Sequence, residues 1–152
     1  MPKQSAGLLL YRQSAKHYEV LLVHPGGPFW AKKDRGAWSI PKGEYAEGED
    51  ILEAAKREFS EETGGTPPSS GYQDLGGEKQ PSGKLVHIWA VAGDFDLKNF
   101  KSNTFELEWP LKHPPKVEIE AALEKQIAAV FAPPKAGLKT RLKRAALKIL
   151  GK

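Results

Sequence analysis

Apolar and polar positions along this chain follow two different periods. Ser5–Arg12 and Tyr18–His24 are short apolar stretches separated by polar residues, a pattern that predicts two strands. Pro25-Gly26-Gly27-Pro28 then breaks the chain, and residues 29–36 read as an exposed loop. Ala37–Ile40 predicts a brief strand ending at Pro41. From Asp50 to Thr63 the spacing becomes helical. Asp50 can cap that helix, Glu53 three residues on completes a capping-box pattern, and Gly64-Gly65 stops it. Lys84–Ala92 predicts a further strand, and Thr104–Trp109 and Val117–Leu123 are shorter strand candidates. Ala136–Leu150 reads as a terminal helix with Leu138, Leu142, Ala145 and Ile149 on one stripe. No internal repeat interrupts this order, which predicts a mixed α/β (α+β) fold.

The length of 152 residues suits one domain, residues 1–152. With 39% hydrophobic and 28% charged residues the composition is that of a globular chain, not a disordered one. No apolar run approaches the ~20 residues that a bilayer helix needs, and no small-residue cleavage site follows Gly7–Tyr11, so neither membrane nor secretion is expected. The chain has no cysteine, which removes disulfides, thiolate metal sites and thiol nucleophiles and fits a cytoplasmic location.

Charge is unevenly placed. The formal net charge is +4, yet the seven basic residues from Lys135 onward have no acidic counterpart, leaving −3 for the rest. The basic balance therefore belongs to the tail, and nucleic-acid binding does not follow from it. Eight acids (Glu44, Glu47, Glu49, Asp50, Glu53, Glu58, Glu61 and Glu62) fall within nineteen residues, against Lys56 and Arg57.

At about 100° per residue, Ile51, Leu52, Ala55 and Phe59 form one apolar arc of the Asp50 helix. Glu58, Glu61 and Glu62 fill the adjoining arc, with Glu62 falling between Ile51 and Ala55. Glu58 and Glu62 repel at a spacing of four, by roughly 0.2–0.5 kcal/mol when exposed. They also lie toward the negative end of the helix dipole. A solvated helix face tolerates such a run. A buried edge does not, unless a cation offsets it, and oxygen-only ligands suit Mg²⁺ or Mn²⁺ better than Zn²⁺.

The wider spacing goes further. Gly43 is followed after five residues by Glu49, and after seven more by Arg57-Glu58-Phe59-Ser60-Glu61-Glu62-Thr63-Gly64. This resembles the signature of the Nudix hydrolase superfamily, G-x5-E-x7-R-E-U-x-E-E-x-G-U, where U is a bulky apolar residue. Every charged and glycine position matches and Phe59 fills the first U. Gly65 stands at the last U, a departure expected to weaken packing after the helix.

The resemblance implies a Nudix α/β/α sandwich with a mixed central sheet. It also implies Mg-dependent hydrolysis, with Mn²⁺ as an alternative ion, of a phosphoanhydride bond in a nucleoside diphosphate linked to another group. Carried over by position, Glu58, Glu61 and Glu62 hold the metal with the Gly43 carbonyl, while Glu49 and Arg57 pair to orient loop against helix and Gly64 ends the helix. The family draws its general base from the signature helix or from a later loop. Glu118, followed by Glu120, is the candidate outside the helix, although both fit the outward positions of a half-exposed strand.

Trp38-Ser39-Ile40-Pro41-Lys42-Gly43 is similar to the W-x-x-P-K-G lead-in of Nudix enzymes acting on diadenosine polyphosphates. Lys42 would then meet phosphate as a point charge. The preceding loop mixes Phe29 and Trp30 with Lys32, Lys33 and Arg35, suited to stacking on a base while gripping phosphate. Trp38, Lys42, Lys33 and Arg35 are thus the substrate-binding candidates. Gln80–Lys84 and Ser102–Phe105 resemble a bacterial Nudix branch of nucleoside triphosphate pyrophosphohydrolases, but Pro115–Glu120 departs from that branch's F-P-E-V-D…W-F. Three functions remain open: a hydrolase of dinucleoside polyphosphates, a house-cleaning nucleoside triphosphate pyrophosphohydrolase, and a non-catalytic nucleotide- or nucleic-acid-binding module. The expected partner is a small nucleotide, bound by a monomer or homodimer. Ser39-Ile40-Pro41-Lys42 fits S-x-x-K without its companion motifs, and no phosphate loop or H-E-x-x-H occurs.

Overall fold

In the computed structural model, the described residues are 3–13, 18–25, 30, 32–33, 37–80, 82–101 and the backbone of 129–132. Their elements are β1 (Gln4–Gln13), β2 (Tyr18–Val23), β3 (Lys42–Glu44), α1 (Ile51–Thr63), β4 (Gln73–Lys79), β5 (Leu85–Ala92) and β6 (Ala129–Ala132), with one 3-10 turn at Leu97–Asn99. The strands form a mixed sheet in the order β4-β5-β1-β2-β6, and β3 also pairs with β1.

β1 organises everything else. One edge runs parallel to β5 from Gln4↔Leu85 to Tyr11↔Ala92. Its other edge is shared: Ser5–Gly7 pairs antiparallel with β3 and Tyr11–Gln13 pairs antiparallel with β2. Both faces of β1 are covered by packed side chains, and the strand is accordingly buried from Ser5 to Leu10. Leu9 meets Val20, Leu22, Ile40, Val86, Ile88 and Ala90 on one face. Leu8 and Leu10 meet Leu21, Phe59 and Val91 on the other, where α1 packs.

The expected strand at Ala37–Ile40 is reduced to one bridge, in which Val23 and Ser39 exchange both backbone hydrogen bonds at 2.8 and 3.0 Å. Pro41 has no N–H to continue a ladder. Its carbonyl instead accepts from the Leu8 N–H at 3.0 Å, and regular pairing resumes at Lys42. β4 escaped the sequence pattern because it is an edge strand, Q-D-L-G-G-E-K, mostly exposed and broken by an irregularity between Asp74 and Gly77. β6 pairs with β2 from Val20↔Ala132 to Val23↔Ala129 and is too short for a periodic signal. The strand candidates at Thr104–Trp109 and Val117–Leu123 and the helix at Ala136–Leu150 lie outside the described residues. Among those described, no helix is long and apolar enough to cross a membrane.

Candidate active site

The site is built where α1 crosses the start of β1. Asp50 caps the helix, its side chain accepting from the Glu53 N–H at 2.9 Å, and Gly64 ends it at φ 71°, in the left-handed region. Small residues bring helix and sheet together: Ala54 and Ala55 pack on Ala6 of β1, all three fully buried. At about 100° per residue, Glu58 and Glu62 fall between Ala54 and Ala55 on the helix wheel. The buried face therefore includes two acids beside Ala55 and Phe59 of the expected apolar arc, with Ile51 packed against the same alanine cluster. Ile51 and Leu52 are only half-buried.

The acids differ in surroundings. The Glu58 side chain is 12% exposed and that of Glu61 43%. A Cβ built on Gly43 would overlap the Glu58 carboxylate, so only glycine leaves room for it there. Glu62 accepts from the Lys42 N–H at 3.1 Å. Burial pushes the Glu62 carboxyl up from 4.5 to about 7, opposed by that hydrogen bond and by the Lys42 charge and reinforced by Glu58 and Glu61.

Arg57 ties the cluster to the preceding loop. Its Nε and Nη2 donate to Glu49 at 3.2 and 3.5 Å, and Nη2 also donates to the Glu44 carbonyl at 3.3 Å. Nη1 donates to Glu58 at 2.6 Å and to Glu61 at 3.4 Å. Glu49 accepts a further bond from the Ala46 N–H at 3.0 Å, and that bond, followed by Arg57, holds its carboxyl below the usual range. The expected Glu49–Arg57 pair is thus present. The contact with Glu58 revises the expectation that an ion alone could offset the acidic repulsion, because part of that work falls to Arg57.

A NUDIX domain model matches residues 1–96, a span that holds this whole arrangement. The chain belongs to the Nudix family. It is similar to an RNA pyrophosphohydrolase of Caulobacter vibrioides, 46% identical over 52 residues that cover 31% of this chain. Those residues span only 30% of the relative's length. Among solved structures it resembles a Caenorhabditis elegans Ap4A hydrolase in a binary complex (19% identity, TM-score 0.58, 99% of both chains). It also resembles the NUDIX domain of Shewanella oneidensis NrtR complexed with ADP ribose (16% identity, TM-score 0.58, 99% of this chain and 89% of that one). At such identities the likeness establishes the fold.

Nudix enzymes generally use divalent metal ions. The donors here are carboxylate oxygens beside a glycine that admits them closely, which fits a hard cation. No three Asp, Glu or His side chains among the described residues already converge as a finished cage.

The Nudix domain departs from its signature at Gly65, and the expected loss of packing is made good. A Cβ on Gly65 would overlap the Phe95 ring, which stands edge-on to Phe59 with centroids 6.2 Å apart. An aromatic from beyond β5 thus fills the space of the missing bulky residue.

The substrate-binding candidates are only partly in view. Trp38 is half-buried against the Leu9 face of the core, its ring edge-on to His24 at 5.1 Å. His24 bonds the Lys33 carbonyl at 2.5 Å, and the Lys33 ammonium lies 4.9 Å from the centre of the exposed Trp30 ring. In the sequence His24 is simply a histidine at a strand end, and its link between Trp38 and the Lys33 carbonyl comes from the fold. Lys42 sits next to Gly43 on β3. Arg35 and Glu118 lie outside the described residues.

Proposed function

We propose that this Nudix domain is a magnesium-dependent pyrophosphohydrolase cleaving a phosphoanhydride bond in a nucleoside diphosphate linked to a second group, with dinucleoside polyphosphates as the leading substrate class. The observation that carries this reading is the placement of Glu58 against Gly43 and of Glu62 on the Lys42 N–H, two acids kept on a buried helix face. Structural economy alone would put apolar residues there.

Glu58, Glu61, Glu62 and the Gly43 carbonyl would hold the ion. When bound, it neutralises phosphate charge and lowers the pKa of a coordinated water. Arg57 and Glu49 keep the β3–α1 loop in register with the helix. Lys42 would meet phosphate as a point charge. Trp38, Lys33 and Arg35 would form the aromatic and cationic wall that receives a base, and Glu118 is the candidate base outside α1.

A second reading has its own support. The similarity to an RNA pyrophosphohydrolase, at 46% identity, favours a phosphorylated RNA 5′ end as the group bearing the pyrophosphate. Purified protein with Mg²⁺ should be assayed on diadenosine tetraphosphate, nucleoside triphosphates and 5′-triphosphate RNA, with products separated by ion exchange. Release of nucleotide fragments from the first substrate supports the leading reading, and preferential release of pyrophosphate from RNA supports the second. No hydrolysis of any of them with Mg²⁺ or Mn²⁺ would overturn both.

A further inference from the structure

Of the three clustered acids, Glu58 and Glu61 share the Nη1 group of Arg57, whereas Glu62 is bonded by the Lys42 N–H. The guanidinium is a planar fork, and its two sides face different partners. Nε and Nη2 reach back to Glu49 and to the Glu44 carbonyl, at 3.2 to 3.5 Å. The anchor is itself held: Ala46 donates to the Glu49 side chain at 3.0 Å, and the Glu49 N–H donates to the Ala46 carbonyl at 3.1 Å. One side of Arg57 therefore belongs to a braced loop, and the other neutralises the acids.

We infer that Arg57 is the resident counter-cation of the metal-free site, and that an incoming divalent ion displaces its Nη1 from Glu58 and Glu61 while Nε and Nη2 stay on Glu49 and Glu44. The inference rests on the metal-site reading proposed above and adds a competitor to it. Glu58 Oε1 lies 2.6 Å from Nη1, and an oxygen so engaged has to be released before it can ligate an ion fully. Braced at its other side, the guanidinium need only turn aside, so it returns when the ion leaves. A site built this way holds its acids on the buried face without metal, and binds metal less tightly than the bare acids would.

The test is calorimetric titration of Mn²⁺ into the metal-free full chain, comparing wild type with Arg57→Lys and Arg57→Gln. Arg57→Lys keeps the charge but cannot bridge Glu49 and Glu58 together. Displacement predicts that both variants bind Mn²⁺ about two- to fivefold more tightly than wild type, as expected for loss of a partly exposed ion pair. If only the net field mattered, Arg57→Lys would match wild type, and that result overturns the inference.

A readout on unaltered protein covers the case in which the variants fail to fold. In nitrogen-15 spectra with Mg²⁺, the Arg57 Nη resonances should move in step with saturation while Nε stays near its metal-free position. Fixed Nη resonances at saturating Mg²⁺ overturn the inference and leave the hydrolase reading intact. Absence of ion uptake by wild type and by both variants overturns the metal-site reading itself.

Discussion

Glu62 offers the most direct measure of strain at the site. Its carboxyl titrates near 7 when folded and near 4.5 when unfolded. Between those values the folded chain keeps a proton that the unfolded chain has released, so this group's contribution to stability falls as pH rises through the window. The displacement corresponds to an upper value of about 3 kcal/mol at about 1.4 kcal/mol per pH unit. Glu62→Gln keeps an acceptor for the Lys42 N–H and removes the ionisable proton. In EDTA at pH 8 the variant should be more stable than wild type by about 1–3 kcal/mol, raising Tm by several degrees at roughly 2–4 °C per kcal/mol for a chain of this size. At pH 4.5 the two should nearly coincide. The comparison cancels the contributions of Glu49, Asp74 and Asp94, whose lowered carboxyl values cost stability on acidification in both proteins alike. Scanning calorimetry from pH 4.5 to 8 reads it out. Equal or lower stability of the variant at pH 8, or a difference that ignores pH, refutes the argument from burial. Added Mg²⁺ should then stabilise wild type more than the variant.

Glu58→Gln should lower turnover by roughly 10²-fold or more with an unchanged circular dichroism spectrum, since it withdraws a charge from the buried pair of acids, and steady-state kinetics decide. Gly43→Ala places a methyl on the Glu58 carboxylate. The far end of a side chain can yield where backbone cannot, so stability should change by less than ~1 kcal/mol while Mg²⁺ affinity falls at least several-fold in calorimetry. Gly65→Leu restores the family's bulky residue and should destabilise by roughly 1–3 kcal/mol through overpacking against Phe95. Phe95→Ala in the same chain should recover part of that loss, and a double-mutant cycle by urea unfolding measures the coupling.

Much of this protein is local and therefore written in its sequence. Asp50, Glu53 and Gly64 define α1 by capping and by a left-handed stop, and both ends fall where the residues predict. Short apolar stretches bounded by polar residues locate β1, β2 and β5 to within a residue, because the buried part of each strand must leave water. The spacing of Gly43, Glu49, Arg57, Glu58, Glu61 and Glu62 marks the site for the same reason: neighbours in the chain stay neighbours on a helix and its lead-in loop. What tertiary structure alone decided is how closely the helix approaches the sheet. The apolar arc put Ala55 and Phe59 inward with Glu62 at its edge, as found, but the small Ala54 and Ala55 let α1 approach Ala6 closely, and that contact adds Ala54, with Glu58 beside it, to the buried side. The filling of Gly65's space by Phe95, some thirty residues later in the chain, is likewise a packing event that no local rule contains. The i,i+4 spacing of Arg57 and Glu61 is legible in the sequence, but the shorter contact of the same Nη1 with the adjacent Glu58 is not. Such contacts depend on where separate elements meet, and that is fixed only when the whole sheet has formed.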